Sequence, residues 1–285
     1  MITLKAFAKI NLALFVGEKR PDGYHEVETI MHRISLHDKI QLTRAPDISL
    51  DVTKGNISSD SDNLMWRAAE LFLKKMNIPG GVHMTLHKEI PTGAGLGGGS
   101  ADAAAVIYGL HQLYKIPFSL SYWSEQSAVL GADVPFSFLS GAALCTGIGE
   151  KISPLTPSLS LPLIIIKPPL SISTIDAYKI LDEYNSTERK NIQEKSTDKM
   201  IQHINQNIPI PTSYFHNDFE KPLCHLYPEL QEIKSYGEKI GIPAQMTGSG
   251  AAFFFVCQNK DNQLFLFKKI KKDHPHWFLA QATTI

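Results

Sequence analysis

Cysteine is scarce in this sequence. Cys145, Cys224 and Cys257 are odd in number, lie far apart and form no Cys-x-x-Cys pair. That excludes a disulfide framework or a cysteine-built zinc cage, and it sets the expectation of a reducing compartment. An excess of one charge is also missing, since 28 Lys plus Arg stand against 28 Asp plus Glu. A nucleic-acid partner, which asks for a basic stripe or surplus, is therefore not expected. Long apolar runs are absent as well. "LPLIIIKPPL", residues 161–170, is far too short to span a bilayer. The opening "MITLKAFAKINLALF" is interrupted by Lys9 and Asn11 and is followed by no small-residue cleavage site, so it does not read as a signal peptide. No transit-peptide-like extension precedes it. The expectation is a soluble bacterial cytoplasmic protein with no membrane partner, a monomer or weak homodimer.

Several motifs are missing too. No Gly-Lys dipeptide occurs, which removes the Walker phosphate loop. No Val-Ala-Ile-Lys, His-Arg-Asp or Asp-Phe-Gly occurs, which removes the protein kinases. No internal repeat and no low-complexity tract is visible.

What is present is a chain of 285 residues, 43% of them hydrophobic, enough for one large or two medium domains. Leu4 to Val16 alternates, with Ala6, Ala8, Ile10, Leu12 and Leu14 on one face, and so predicts a strand. "RPDGYH", Arg20 to His25, is turn chemistry. Val27–Leu36 and Ile40–Leu42 read as two further strands, Asn63–Met76 as a helix and Val82–Ile90 as a strand. A helix is expected over Ser100–Tyr114, with Ala103, Val106, Ile107, Leu110 and Leu113 as its apolar stripe. Ser121–Leu130 and Asp133–Leu139 read as helical and Ala142–Thr146 as a short strand. The Pro/Ser-rich Ser153–Pro162 is a candidate domain boundary. Beyond it, strands at Leu163–Lys167, Ala251–Cys257 and Trp277–Ala282 alternate with helices at Tyr227–Ile240 and Asn259–Lys272. The polar stretch Asn185–Ser213 predicts solvent-facing helices and a mobile loop.

Between the strand ending near Ile90 and the helix near Ser100 stands "PTGAGLGGGSADAA", with five glycines in the seven positions Gly93 to Gly99. Gly93, Gly95 and Gly98 formally match a dinucleotide fingerprint. The preceding strand alternates, however, where a central parallel strand would be apolar on both faces, and no acidic strand end follows about 20 residues on. The physics of the loop survives these exclusions. Glycines let backbone N–H groups approach an anion, and a helix start adds unsatisfied N–H groups and a positive dipole end. A plain turn needs one or two glycines, and each interior one costs about 0.5–1 kcal/mol in entropy. The reading is a polyphosphate site, with the Ser100 hydroxyl either contacting phosphate or bridging Mg²⁺, or serving only as a helix cap.

"PTGAGLGGGSADAA" resembles the Pro-x-x-x-Gly-Leu-Gly-x-x-Ser/Ala loop of the GHMP small-molecule kinases. "AFAKINLAL", "RPDGYHEVETIM", "DNLMWRAA", "GADVPF", "HNDFE" and "TGSGAAFF" agree with that family in order along the chain. The triple glycine Gly97–Gly99 resembles the branch whose acceptor carries a cytidine diphosphate group. The resemblance implies a mixed α/β (α+β) two-domain fold. Residues 1–155 would form a ribosomal-protein-S5-like α/β domain with the glycine loop, Lys9 and Asp133. Residues 156–285 would form a ferredoxin-like α/β domain, with the active site between the two. It implies ATP with Mg²⁺ as phosphoryl donor and a small-molecule alcohol as acceptor. Homoserine or mevalonate as acceptor, or a catalytically silent nucleotide-binding relative, are the alternatives.

The resemblance also implies roles for residues. Asp133, which spacing alone reads as a helix cap before Val-Pro, matches the family's general base. Lys9 matches the lysine that pairs with it and shares a strand face with Asn11, a substrate-binding candidate. Pro91, Gly93, Gly95, Leu96, Gly97, Gly98, Gly99, Ser100 and Ala101 would hold the nucleotide phosphates, and Asn63 would lie near adenine or simply start its helix. Tyr24 and His25 would hold the cytosine by stacking and hydrogen bonding, with Tyr178 as a second aromatic and Thr174 as a further substrate contact. "TGSG" at Thr247–Gly250 is either backbone closing the site beside the first loop or a turn, and both can hold. His83 and His87 share a face without a third ligand, so no metal site is expected there. Phe253–Phe255 reads as core, and "KKIKKD" at Lys268–Asp273 as a solvated helix end.

Overall fold

The computed structural model describes residues 1–55, 57–157, 159–187 and 196–285. The chain divides into two units, each gathered from three stretches: 1–9, 36–90 and 97–140 in one, 10–35, 91–96 and 141–285 in the other. Strands β1 (Ile2–Lys19) and β2 (His25–Ala45) contribute residues to both.

In the first unit, β2 pairs antiparallel with β4 (Gly81–His87), Ile40 facing Leu86, and β4 pairs in parallel with β3 (Ser49–Lys54). Helices α1 (Leu64–Lys75) and α2 (Gly98–Tyr114) pack on each other. Their apolar faces close a core of Phe72, Val106, Ile107 and Leu110 with Ile40, Leu42, Val82 and Met84 of the strands. Gly109 lets α2 lie close to the strands, since a Cβ there would stand 2.3 Å from Leu4 Cδ1 and 2.5 Å from Leu42 Cδ1. Helix α3 (Leu120–Gln126), a single 3₁₀ turn at Ser127–Val129 and the short α4 (Val134–Ser137) complete it.

In the second unit, β5 (Ala142–Thr146) joins β2 antiparallel, with Ile30 facing Leu144, and pairs in turn with β6 (Lys151–Leu155). A separate four-stranded antiparallel sheet has the order β11-β7-β10-β9, built from β7 (Pro162–Lys167), β9 (Gln245–Met246), β10 (Phe253–Val256) and β11 (Phe278–Thr283). The two-residue β8 (His216–Asn217) runs parallel to β1. Helices α5 (Thr174–Thr187), α6 (Thr197–Asn205), α7 (Glu220–Leu226), α8 (Pro228–Lys239) and α9 (Lys260–Asp273) belong to this unit. Ile164, Ile166, Phe253 and Phe255 form its core with Leu223, Leu230, Ile233 and Ile270, as the triple phenylalanine suggested.

The Pro/Ser-rich Ser153–Pro162 overlaps the end of β6, an edge strand that tolerates Pro154 because its other side needs no ladder bond. Three sequence expectations need correction. Val27–Leu36 and Ile40–Leu42 are one strand, β2, because the polar Asp38 between them is buried and fully bonded rather than a turn. Helix α2 starts at Gly98, two residues before Ser100. In the polar stretch 185–213, α6 buries Thr197, Met200 and Ile204, so it is amphipathic rather than wholly solvated; the expected loop falls on residues 188–195, outside the described residues. No helix among the described residues is long and apolar enough to cross a membrane.

Candidate active site

The glycine-rich segment turns three times through the left-handed region, at Gly93 (φ 58°), Gly95 (φ 70°) and Gly97 (φ 67°). Each turn has a local reason. A Cβ on Gly93 would meet Ser171 Cβ at 3.0 Å, and one on Gly95 would stand 2.2 Å from the Thr247 carbonyl oxygen. One on Gly97 would meet Lys9 Cγ at 3.0 Å and Asp133 Oδ2 at 3.6 Å. Close backbone approach therefore explains these glycines as much as anion binding does. Gly97 is the N-cap of α2 and offers no side chain, so the first N–H groups of α2, at Gly98, Gly99 and Ser100, are left for an outside acceptor. Within this segment, Leu96 and Ala101 are buried anchors, while Gly97 to Ser100 are partly or fully exposed.

Lys9 and Asp133 come together against Gly97. Lys9 Nζ lies 3.2 Å from Asp133 Oδ2; the lysine side chain is 6% exposed and the aspartate 28%. Asp133 occupies the N-cap position of α4, yet its side chain makes no capping bond. Its carbonyl oxygen makes the first helical bond, accepting from the Ser137 N–H at 3.2 Å and also from the Ser137 hydroxyl at 2.9 Å. The carboxylate is thus turned away from its own helix and toward the lysine.

The second glycine turn, Thr247–Gly250, packs backbone to backbone on the first. The N–H groups of Ala251 and Ala252 donate to the carbonyls of Gly93 and Ala94 at 3.3 and 3.2 Å. A Cβ on Gly248 would lie 2.7 Å from the Gly95 oxygen. Buried Asn11 clamps this turn. Its Oδ1 accepts from the Gly248 N–H at 3.0 Å and the Thr247 hydroxyl at 3.3 Å, and its Nδ2 donates to Thr29 Oγ1 at 2.8 Å. Asn217, from "HNDFE", holds the same turn through the Met246 and Gly248 carbonyls at 3.0 and 2.9 Å.

His25 is buried, and its ring stacks on Tyr178 with centroids 4.9 Å apart and planes 19° from parallel. Tyr178 in turn meets Phe219 edge-on at 4.9 Å. His25 Nε2 lies 2.8 Å from Asp182 Oδ1, and Lys19 Nζ lies 3.1 Å from the other oxygen. Burial works against the Asp182 charge, but the hydrogen bonds from Lys19 and His25 pull its pKa below the ordinary carboxylate value. Tyr24 is 61% exposed, held by its backbone in the Arg20–Tyr24 turn. Thr174 Oγ1 lies 3.1 Å from Ser249 Oγ. Asn63 caps α1, accepting from the Met65 N–H at 2.9 Å and donating to the Ser58 carbonyl at 2.7 Å.

Sequence reasoning missed Asp182 and a buried group of Asp38, Lys88 and Asp102. The signal for Asp102 was present: a lone carboxylate set among the alanines of "SADAAAV" on a helix that is otherwise apolar. Nothing in the local pattern distinguishes Asp182 from the other acids of α5. Of the paired histidines, His87 faces Glu89 at 2.9 Å and His83 faces Asp51 at 3.7 Å.

The model for the GHMP kinases N terminal domain matches residues 63–141, and that for the GHMP kinases C terminal domain matches residues 189–276. A 4-diphosphocytidyl-2-C-methyl-D-erythritol kinase of Lachnoclostridium phytofermentans is 39% identical over 267 residues, covering 91% of this chain and 89% of the relative. One of Shouchella clausii is 38% identical over 262 residues, covering 90% and 86%. A crystal structure of 4-(cytidine 5'-diphospho)-2C-methyl-D-erythritol kinase superposes with a TM-score of 0.81 at 30% identity over 100% of both chains. The homoserine kinase of Cytophaga hutchinsonii, at 18% identity and a TM-score of 0.71 over 99% and 94%, shares the fold.

Proposed function

The chain belongs to the 4-diphosphocytidyl-2-C-methyl-D-erythritol kinases, within the GHMP kinases, and from that premise we propose how its own residues carry the reaction. The reaction is ATP-dependent phosphorylation of the 2-hydroxyl of 4-diphosphocytidyl-2-C-methyl-D-erythritol, giving the 2-phosphate and ADP on the non-mevalonate (methylerythritol phosphate) route to isoprenoid precursors. Division at about residue 155 into an N-terminal and a C-terminal kinase domain fits the spans of the two family models.

The observation that carries the mechanism is the Lys9–Asp133 pair, 3.2 Å apart and pressed against the glycine that opens α2. Asp133 accepts the proton of the acceptor hydroxyl. Lys9 holds that carboxylate in place and offsets charge growing on the attacking oxygen. ATP supplies the phosphoryl group and brings Mg²⁺ with it as part of the substrate. Pro91 to Ala101 bind the triphosphate: the uncapped N–H groups of α2 donate to it, and Ser100 adds a hydroxyl. Phosphoryl transfer depends mainly on such positioning and charge neutralisation. Asn63 lies toward adenine while keeping its capping bonds. Tyr24 and Tyr178 hold the cytosine ring and His25 bonds its edge, oriented by Asp182. Thr174 contacts the same acceptor. Asn11 acts through the Thr247–Gly250 turn that it clamps. Three buried thiols without a disulfide suit a reducing cytoplasm, with the chain a monomer or weak homodimer.

Replacing Asp133 by Asn tests the assignment. A positioned base gives about 10²–10⁴-fold, so kcat for ADP release should fall by about that much with both KM values nearly intact. An Asn variant with full kcat removes Asp133 from the role.

A further inference from the structure

Behind the first turn of α2 lies a group of charges that the reaction, as described, does not use. Asp38 is inside β2, Lys88 follows β4 and Asp102 opens the second turn of α2; they are 0%, 7% and 2% exposed. Lys88 Nζ donates to Asp102 Oδ2 at 2.8 Å and also to Asp38 Oδ2. Asp38 Oδ1 accepts two more bonds, from the Glu89 and Ile90 N–H groups at 2.5 and 2.8 Å. Asp102 Oδ1 has no hydrogen-bond partner among the described residues.

One ammonium therefore faces two carboxylates in a buried site. Both acids cannot stay charged there, because the second anion is left uncompensated. The proton belongs on the acid with fewer donors, and that is Asp102. Burial, helped by the Asp38 charge and opposed by Lys88, lifts its pKa to about 8. The group also sits against the helix start, since a Cβ on Gly98 would lie 2.9 Å from Lys88 Nζ.

We propose that Asp102 is a positioning residue for the nucleotide, held as a neutral acid, which ties the N-terminal end of α2 to Lys88 and keeps net negative charge from building up behind the phosphate-binding N–H groups. This rests on the reading that the triphosphate sits at the first turn of that helix. Ionising Asp102 would set an uncompensated anion behind a polyanion, so nucleotide binding must retain, or take up, the Asp102 proton. The groups that shift Asp102 are Lys88 and Asp38. Helix α1, packed on α2, carries Arg67, Glu70, Lys74 and Lys75. Asp133, packed at the other side of this turn, is paired with Lys9, and His111 is further along α2.

Calorimetric titration of the full chain with Mg²⁺ and ATPγS, in two buffers of different ionisation enthalpy, counts the protons. If the bound nucleotide raises the Asp102 pKa by about one unit, binding takes up about half a proton at pH 8.5 and almost none at pH 7, and affinity falls about 5-fold from pH 7 to 9. Asp102→Asn, neutral at every pH, should take up no proton and lose the 5-fold pH response of affinity, whatever its affinity at pH 7. Loss of purely structural support would leave both the uptake and the pH response in place. Absence of uptake and of pH dependence in the unmodified protein would overturn the proposal without recourse to any variant, as would an unchanged response in D102N. No ATPγS binding at either pH would instead overturn the nucleotide reading, and this inference with it.

Discussion

Gly97 concentrates the chemistry into one residue. It has a left-handed φ of 67°, and its missing Cβ leaves room for Lys9 at 3.0 Å and Asp133 at 3.6 Å. Gly97→Ala would meet strain of about 1–3 kcal/mol and push the lysine from the carboxylate. We expect a lower melting temperature and a kcat loss of about tenfold or more, read by thermal melts and ADP release, with the cytidyl-substrate KM little changed. The base pocket divides differently. Tyr24 is exposed and its loss costs the fold little, so Tyr24→Ala should raise the cytidyl-substrate KM by about 2- to 10-fold, the worth of one aromatic contact, with kcat kept. An unchanged KM removes the stacking role. At this scale the sequence was only partly legible. Lys9 and Asp133 are 124 positions apart, and spacing alone makes the aspartate a helix cap. It does occupy that position, but its carbonyl rather than its carboxylate does the bonding. Only resemblance to a family could separate those two fates. The ring stack of His25 on Tyr178 was likewise reachable only that way.

Elements were easier to read, because periodicity is local. The alternation in β1 and β4 and the apolar stripe of α2 each lead to the observed element within a few residues. Failures arose where a polar residue was satisfied at long range. β2 continues through Asp38 because Lys88 and two backbone N–H groups, some 50 positions away, bond it. The two glycine turns show the same limit, since Gly95 and Gly248 are each explained only by the other turn. Gly95→Ala would drive a Cβ to 2.2 Å from the Thr247 oxygen. Strain and overpacking together should cost about 2–4 kcal/mol in urea unfolding. Gly23 offers the control: its φ is 88°, but a Cβ there meets nothing within 4 Å, so Gly23→Ala should cost only the conformational strain, about 1 kcal/mol. Equal losses at both sites would deny that the turns support each other.

Over the whole molecule, each unit draws on three separate stretches of chain, an arrangement that composition and linear spacing do not reveal. Buried charge also makes stability depend on pH. The Asp102 carboxyl titrates near 8 when folded, against 3.8 as its ordinary value. Between those values the folded chain holds a proton that the unfolded chain has lost, so Asp102 makes stability fall as pH rises through that window. Melting of the unmodified chain and D102N from pH 5 to 8 should show the difference between them shifting steadily in favour of the Asn variant. A constant difference would place the proton elsewhere. The central claim, that the glycine loop, the Lys9–Asp133 pair and the Tyr24–His25 pocket serve one reaction, meets its most direct test in an ADP-release assay with Mg²⁺–ATP. The assay compares 4-diphosphocytidyl-2-C-methyl-D-erythritol with the same alcohol lacking its cytidyl group, with mevalonate and with homoserine. Turnover of the cytidyl substrate alone is the expected result. Equal turnover of the alcohol without its base, or of mevalonate or homoserine, would contradict the pocket, and silence on all four would contradict the kinase.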